Sequence, residues 1–144
     1  MARVTTYINF VRKTEEAFLF YRSVFRTEFV MPILRMGDAP PVPGHPPLAA
    51  ADAQLVLHVS LPILAGHVLM GTDAPEVNGF RLNQGNNISI NLEPDTRAET
   101  ERLFAALSAG GTVQSPLKDM FWGAYWGCVM DKFGIRWMFN CPAQ

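Results

Sequence analysis

The sequence has few of the residues that mark several large protein classes. Cys128 and Cys141 are the only cysteines among 144 residues. That is too few for a disulfide scaffold or a cysteine-based zinc site, so we expect two buried, reduced thiols. Charged residues make up 17% of the chain, against about 25% in ordinary domains, and this low share argues against disorder. The composition indicates one globular domain that needs no disulfide or metal to fold.

Neither sign of charge predominates, and long apolar runs are absent. The 12 basic and 13 acidic residues give a net charge of −1, without the basic surplus that nucleic-acid binding requires. The most apolar stretch, residues 61–70, is interrupted by Pro62, Gly66 and His67 and is shorter than the ~18 residues that span a bilayer. The first residues show no signal-peptide pattern. We therefore expect no nucleic-acid or membrane partner and, by default, a cytoplasmic protein.

The first half of the sequence predicts one helix among several strands. Thr14 is the expected N-cap of a helix whose apolar residues recur at helical spacing. Beyond it, Leu57 and Val59 alternate with Val56 and His58, as in a strand with two different faces. Residues 37–47, with five prolines and two glycines, form the expected long loop. The expected strands are residues 4–11, 27–36, 54–61 and 67–72.

The second half repeats this order. Asp95 or Thr96 is the expected cap of a second helix, which Gly110-Gly111 ends. Asp131 opens a turn over residues 131–134, where we expect its carboxylate to make turn hydrogen bonds. The expected strands are residues 87–92, 112–120, 124–130 and 135–140.

Both halves thus read β-α-β-β-β, offset by about 82–84 residues, and Tyr7-Ile8-Asn9-Phe10 corresponds to Ser89-Ile90-Asn91-Leu92. We predict an α+β fold in a single domain, residues 1–144. Module 1 covers about 1–78 and module 2 about 84–144. The two βαβββ modules are expected to form one curved mixed sheet around a cavity, with a helix on the outer face of each sheet.

This duplication resembles the vicinal oxygen chelate superfamily, which includes glyoxalase I, extradiol dioxygenases and bleomycin- and fosfomycin-resistance proteins. Several strings look like its PhnB-like branch, often labelled 3-demethylubiquinone-9 3-methyltransferase-like. The strings are residues 7–10, 15–21, 69–73, 110–111, 121–123 and 131–137. The resemblance implies the glyoxalase/bleomycin-resistance fold and a homodimer. It does not imply methyl transfer, because the sequence lacks the Gly-rich strand-to-helix turn of a Rossmann-type S-adenosylmethionine site.

The resemblance also implies four metal-ligand positions, one on the first and one on the last strand of each half. Carried over residue by residue, they fall at Thr6, Met70 (or Gly71), Asn87 and Met138. Superfamily enzymes use His, Glu or Gln there, whereas thioethers and a lone amide hold divalent ions poorly. His58 and His67 lie on adjacent expected strands, but two histidines without a third ligand make a poor site. We therefore expect no metal and no other cofactor.

The remaining candidates would contact a small molecule directly. His58 is either a satisfied polar group or a ligand-contacting donor, and it is the best candidate for acid–base catalysis. Arg136 would need an anionic partner if it faces inward. Met70 and Met138 would form an adaptable wall. The other candidates are the polar residues Asn87, Ser89 and Asn91, which are either ligand contacts or solvated, and Trp122 and Trp126, which either stack on a ligand or pack in the core or a dimer.

Three hypotheses follow. The leading one is a metal-free, PhnB-like small-molecule-binding protein of the glyoxalase/bleomycin-resistance type. The second is an enzyme, such as a glyoxalase/dioxygenase-like lyase or isomerase acting on a small polar substrate, with a cryptic metal or with none. The third is a dimer with a structural or interaction role and no ligand.

Overall fold

The computed structural model describes residues 1–74 and 76–143. The chain divides into two compact units, residues 1–82 (unit 1) and 83–144 (unit 2). The strands are β1 (Thr6–Phe10), β2 (Leu34–Arg35), β3 (Val56–Pro62), β4 (Val68–Asp73), β5 (Ile90–Leu92), β6 (Thr112–Asp119), β7 (Tyr125–Met130) and β8 (Arg136–Cys141). The α-helices are α1 (Thr14–Phe25) and α2 (Arg97–Ser108).

Each unit contains a four-stranded mixed sheet and one α-helix within the described residues. The strand orders are β1-β4-β3-β2 and β5-β8-β7-β6. In chain order, the first and last strands of each unit pair in parallel, β1 with β4 and β5 with β8, and the other neighbouring strands are antiparallel. The strand order is the same in both units when the strands of unit 2 are numbered from one. This confirms the predicted α+β fold with a repeated module.

In unit 1 the core lies between α1 and its sheet. Phe18 and Tyr21 of α1 are fully buried, as is Leu69 of β4. Gly71 allows the close approach, because a Cβ built on it would lie 2.6 Å from Cε2 of Phe18. Burial of these side chains positions the sheet with one face toward α1 and leaves its other face for polar residues.

The predicted alternation along β3 is wrong at its start. Val56 and Val59 are both buried, whereas Leu57 is exposed. The reason is a β-bulge. Leu34 pairs with His58 and the next residue, Arg35, pairs with Val56, so one residue of β3 is unmatched. A bulge shifts the two-residue periodicity by one position, which sequence alternation alone does not reveal.

Thr14 does not cap α1 as expected. The N-cap residue is Lys13, whose side chain makes no capping bond. Thr14 is buried as the first helical residue and donates to Asp73 Oδ1 through its backbone N–H (3.1 Å) and its hydroxyl (2.8 Å). The second oxygen of Asp73 accepts the N–H of Val56. A carboxylate on β4 therefore performs the capping that was expected of a hydroxyl.

Unit 2 has the same plan. Trp137 and Phe139 of β8 are fully buried with Leu103 and Leu107 of α2. The predicted cap of α2 is confirmed at Thr96, whose hydroxyl oxygen accepts the N–H of Glu99 at 3.1 Å. These contacts place β8 at the centre of its sheet, with one face against α2.

Three predicted strands are at least three residues shorter than expected, and one of them, expected over residues 4–11, spans only Thr6–Phe10. The strand expected over residues 27–36 has only two residues in ladder pairing, and its earlier part meets β3 through isolated bonds such as Val30 N–H to Ser60 O. The strand expected from residue 87 begins at Ile90. Both cysteines are free thiols, Cys141 buried and Cys128 partly so. None of the helices in the described residues is long and apolar enough to cross a membrane.

Candidate functional site

The face of each sheet that points away from its helix is the candidate site, and we call it the distal face. Its residues follow from strand register, because directly paired residues share a face. In unit 1, Tyr7 pairs with Met70 and Met70 pairs with Ser60, while the next pairing row contains Gly71, which faces Phe18 of α1. The distal face of unit 1 therefore carries Tyr7, Asn9, His58, Ser60, Met70 and Thr72.

Three of these side chains form a hydrogen-bonded chain. The Tyr7 hydroxyl lies 3.2 Å from His58 Nδ1, and His58 Nε2 lies 2.8 Å from the Ser60 hydroxyl. Ser60 is buried, His58 half-buried, and Tyr7 49% exposed. A neutral imidazole donates from one nitrogen and accepts at the other, and both hydroxyls can do either. The chain can therefore present a donor or an acceptor at its exposed Tyr7 end.

His67 does not join this group. Its Nε2 lies 2.9 Å from the hydroxyl of Thr6, and Thr6 pairs with Leu69, on the side of the sheet that carries α1. His58 and His67 therefore face opposite sides, and the metal-binding pair considered for them does not form. Thr6, one of the four expected ligand positions, therefore lies on the helix side of the sheet, and its neighbour Tyr7 lies on the distal face.

In unit 2 the distal face is centred on β7 and β8. Asn91 pairs with Met138, Met138 with Cys128, and Trp126 with Asn140. The helix side carries Trp137, Phe139 and Cys141, which are fully buried. The distal face of unit 2 therefore consists of Asn91, Trp126, Cys128, Met130, Arg136, Met138 and Asn140, with Lys118 opposite Trp126 at its β6 edge.

The two candidate tryptophans lie together. Trp122, in the turn between β6 and β7, packs edge-on against Trp126 with ring centroids 6.5 Å apart. Its indole N–H points to the amide oxygen of Asn140 at 3.4 Å. Trp122 is 51% exposed and Phe121 beside it is 97% exposed. The pair supplies an aromatic wall whose polar edge is held by an amide of the same face.

The three polar candidates before and within β5 are separated by the structure. Asn91 is within the strand, and its amide donates to Glu93 at 3.3 Å. Ser89 is partly buried just before the strand, and Asn87 is exposed in a bend. Because β5 begins at Ile90, the expectation that Asn87 lies on the strand is wrong.

Arg136 is the first residue of β8 and pairs with Met130. Its Nε atom is buried without a hydrogen-bond partner. The nearest carboxylate in the chain, that of Asp131, lies on the helix side of the sheet and does not reach Arg136. Its Oδ2 accepts the indole N–H of Trp137 at 2.8 Å. Its Oδ1 accepts the N–H groups of Phe133 and Ile135, which confirms the predicted turn role.

The residues at the expected metal positions do not fit a divalent ion. Met70 and Met138 offer thioethers, Thr6 is engaged with His67, and Asn87 lies outside the strand. Within residues 1–74 and 76–143, no three His, Cys, Asp or Glu side chains are grouped to hold an ion. The distal face of unit 1 offers a phenol, one imidazole and a thioether, and that of unit 2 offers amides, thioethers and one thiol. Each of these is a poor donor set for such metals.

The displaced pKa values lie away from both distal faces. Arg35 donates two bonds to Glu15 of α1, the shorter 2.6 Å, and this lowers the pKa of Glu15. Burial, and then the hydrogen bond to Glu101, raise the pKa of Tyr125, which lies on the helix side of β7. These groups stabilise the helix–sheet packing and are not part of the candidate site.

Sequence reasoning missed several members of the distal faces, namely Tyr7, Asn9, Ser60 and Thr72 in unit 1 and Lys118, Cys128, Met130 and Asn140 in unit 2. Tyr7 reaches this face through the parallel pairing of β1 with β4, which no local sequence pattern indicates. Asn140 does carry a local signal, because it lies two residues from Met138 on β8 and therefore on the same face. Cys128 faces Met138 only through cross-strand register.

Comparison with known proteins identifies the family. Residues 2–139 match the family model described as 3-demethylubiquinone-9 3-methyltransferase. An uncharacterised protein of Mycobacterium bovis is 32% identical over 99 residues, which cover 65% of this chain. The chain spans only 62% of that relative's length.

Solved structures show the same fold over the whole chain. The protein PA1353 from Pseudomonas aeruginosa is 31% identical, with a TM-score of 0.84 and full coverage of both chains. The PhnB protein from Bacillus cereus is 25% identical, with a TM-score of 0.74 and coverage of 97% of this chain and 99% of that one. A glyoxalase/bleomycin resistance protein/dioxygenase family enzyme from Burkholderia phytofirmans shares the fold at 16% identity (TM-score 0.62, coverage 94% and 96%).

Proposed function

We propose that this chain, which belongs to the family described as 3-demethylubiquinone-9 3-methyltransferase, binds a small polar organic molecule without the help of a metal ion. It is a PhnB-like protein of the glyoxalase/bleomycin-resistance type. The natural ligand is unidentified. Methyl transfer is not part of the proposal, because the sequence contains no Gly-rich turn between a strand and a helix.

The arrangement on the distal face of unit 2 carries the proposal. The amides of Asn91 and Asn140 flank the thioether of Met138, and Trp126 lies next to Asn140. Small-molecule sites combine apolar and aromatic walls with a few polar groups that fix orientation. A sheet face with no ligand role would carry charged or short polar side chains rather than a half-buried tryptophan among amides.

The absence of suitable metal ligands at the superfamily positions determines the proposed mode of binding. Hydrogen bonds from amides, with contacts to Met138 and Trp126, would hold the molecule. Metal coordination would not contribute. The affinity should therefore be unchanged by a chelator.

A fragment screen on labelled protein tests this. Small polar aromatic compounds are titrated in the presence of a chelator, and the indole N–H resonances of Trp122 and Trp126 are followed. Trp126→Leu should weaken binding about tenfold, since a stacked aromatic contributes on the order of 1.5 kcal/mol. Tyr125→Leu is the matched control, because Tyr125 is the neighbouring aromatic on the helix side. Equal losses in both variants, or binding that requires an added metal, would contradict the proposal.

A second candidate function rests on the Tyr7–His58–Ser60 chain. The Tyr7 hydroxyl can give its proton to a substrate, leaving a phenolate that accepts a hydrogen bond from the N–H of His58 Nδ1, and the phenolate later takes a proton back, so the chain is unchanged over one cycle. A metal-free enzyme could use it to give a proton to, or take one from, a carbonyl substrate. This version of the function assigns catalysis to Tyr7 and His58.

Proton exchange tests the second candidate. Pyruvate in D₂O, with a chelator present, would exchange its methyl protons faster with the protein if the chain acts as an acid–base catalyst. His58→Gln should abolish that acceleration and His67→Gln should retain it, because His67 bonds Thr6 on the other side of the sheet. Equal rates with and without protein would count against an enzymatic role toward such carbonyls.

A further inference from the structure

Arg136 occupies a distinctive position on the distal face of unit 2. It precedes Met138 and Asn140 by two and four residues on β8, so all three share the face. Met130 lies opposite on β7. Because Ile90 pairs with Trp137 in a parallel ladder, the preceding residue, Ser89, is carried alongside Arg136.

The guanidinium of Arg136 has no acceptor within the described residues. Its Nε is buried and unpartnered, and its neighbours on the face are a thioether and a hydroxyl. Arginine remains charged at any ordinary pH, and its donors require acceptors when they leave water. Of the arginines that pair, Arg12, Arg35, Arg97 and Arg102 each have a carboxylate within 2.7 Å.

Among the described residues of unit 2, no carboxylate makes a hydrogen bond or ion pair with Arg136, and Glu93, which follows β5, accepts the amide of Asn91 instead. Asp131, the nearest in the chain, turns its oxygens to Phe133, Ile135 and Trp137 on the opposite side. Lys118 adds a second positive charge to the same face at its far edge, opposite Trp126. The face therefore carries two cationic side chains, Arg136 and Lys118, and the buried Nε of Arg136 has no acceptor among the described residues.

We propose that Arg136 binds the anionic group, a carboxylate or a phosphate, of the molecule that this protein holds. The inference rests on the proposed function and deepens it by naming the charge class of the ligand. The planar fork of a guanidinium matches two oxygens of either anion, so its two terminal nitrogens can both donate.

The rest of the face indicates the shape of that ligand. Cα positions of Arg136 and Asn140 are about 13 Å apart along an extended strand, with Met138 between them. An anion held at Arg136 would place its apolar or planar body over Met138 and toward Trp126. A small aromatic or aliphatic acid, or its phosphate counterpart, fits this spacing.

The test uses the full ¹⁵N-labelled chain with a chelator present. Benzoate, phenylphosphonate and the neutral benzamide are titrated separately, and the Arg136 Nε–H resonance is assigned by its absence in Arg136→Lys. Benzoate or phenylphosphonate should shift that resonance and bind about tenfold more tightly than benzamide. The tighter of the two anions decides between a carboxylate and a phosphate ligand.

Variants separate the guanidinium from general charge. Arg136→Gln should weaken anion binding about tenfold while leaving benzamide binding unchanged. Arg136→Lys keeps the charge without the fork and should lose an intermediate amount. Lys118→Gln removes the same charge from the same face and should change anion affinity less than about threefold. Backbone amide spectra confirm that each variant is folded.

The outcomes that would overturn the inference differ from those that would overturn the proposed function. If benzamide binds as tightly as the anions and shifts the tryptophan indoles alone, small-molecule binding stands and the anion site is wrong. If Lys118→Gln costs as much as Arg136→Gln, the attraction is general and Arg136 has no special role. If no probe moves either the indole or the arginine resonances, both proposals fail.

Discussion

The carboxylate of Asp131 accepts the indole N–H of Trp137 at 2.8 Å, and both residues are buried. The same carboxylate closes the turn before β8 by accepting two backbone N–H groups. We expect Asp131→Asn to destabilise the protein by about 2–4 kcal/mol, since the amide replaces an acceptor with a donor facing a buried N–H. Denaturant unfolding measures the change.

Asp119→Asn is the matched control for that variant. Asp119 pairs with Arg97 on the surface, and its side chain is 74% exposed. Its loss should leave the denaturant midpoint almost unchanged, as for most exposed ion pairs. Similar losses for the two variants would show that Asp131 has no special structural role.

The turn at Asp131 illustrates what the sequence could predict. Local signals identified that turn, the Thr96 cap and the repeated βαβββ order, because each depends on residues close together in the chain. By contrast, α1 is capped by Asp73 and not by Thr14. Asp73 lies 59 residues away in the chain, so no local sequence pattern indicates this contact. The same is true of the candidate site, where Tyr7 meets His58 only because β1, β4 and β3 are neighbours.

Gly71 tests the packing of α1 on its sheet. Gly71→Ala would place a Cβ 2.6 Å from Phe18 Cε2, and we expect a loss of about 1–3 kcal/mol from overpacking. Gly85→Ala is the control, because its Cβ would meet only Asn87 Oδ1 at 3.4 Å. Thermal unfolding should show a lower Tm for Gly71→Ala alone. An unchanged Tm would mean that α1 is not seated closely on β4.

The ion pair between Glu15 and Arg35 predicts a small pH dependence. The hydrogen bond from Arg35 lowers the pKa of Glu15 below its ordinary value of 4.5. The pair therefore stabilises the fold above that pH and loses its effect as the pH falls through the lowered pKa. Because the Glu15 side chain is 43% exposed, solvent screening limits the gain to about 0.5 kcal/mol.

Glu15→Gln should thus be slightly less stable than the wild type at pH 7, with the difference closing in strong acid. Glu28→Gln removes an exposed carboxylate that makes no ion pair in the described residues and should show no such difference. Denaturant midpoints across the acid range provide the comparison. A gap that widened as the pH fell would have the wrong sign for this pair.

The Tyr7–His58–Ser60 chain predicts that both ring nitrogens of His58 are hydrogen-bonded, Nδ1 to Tyr7 and Nε2 to Ser60. Tyr7→Phe should therefore change mainly the Nδ1 resonance of His58, and Ser60→Ala mainly the Nε2 resonance. Long-range ¹H–¹⁵N spectra of the imidazole report this directly. The resonances of His67, which is hydrogen-bonded to Thr6, should not change in either variant. If the His58 resonances also stay the same in both variants, the hydrogen-bonded chain does not form in solution.

Metal-free binding is the central claim, and a native mass spectrum of the purified protein, taken before any chelator or metal is added, tests it most directly. We expect a subunit mass without metal, in a homodimer, and with an added organic mass where ligand is retained. One divalent ion per subunit would contradict the account, because it would mean that the protein holds a resident metal ion.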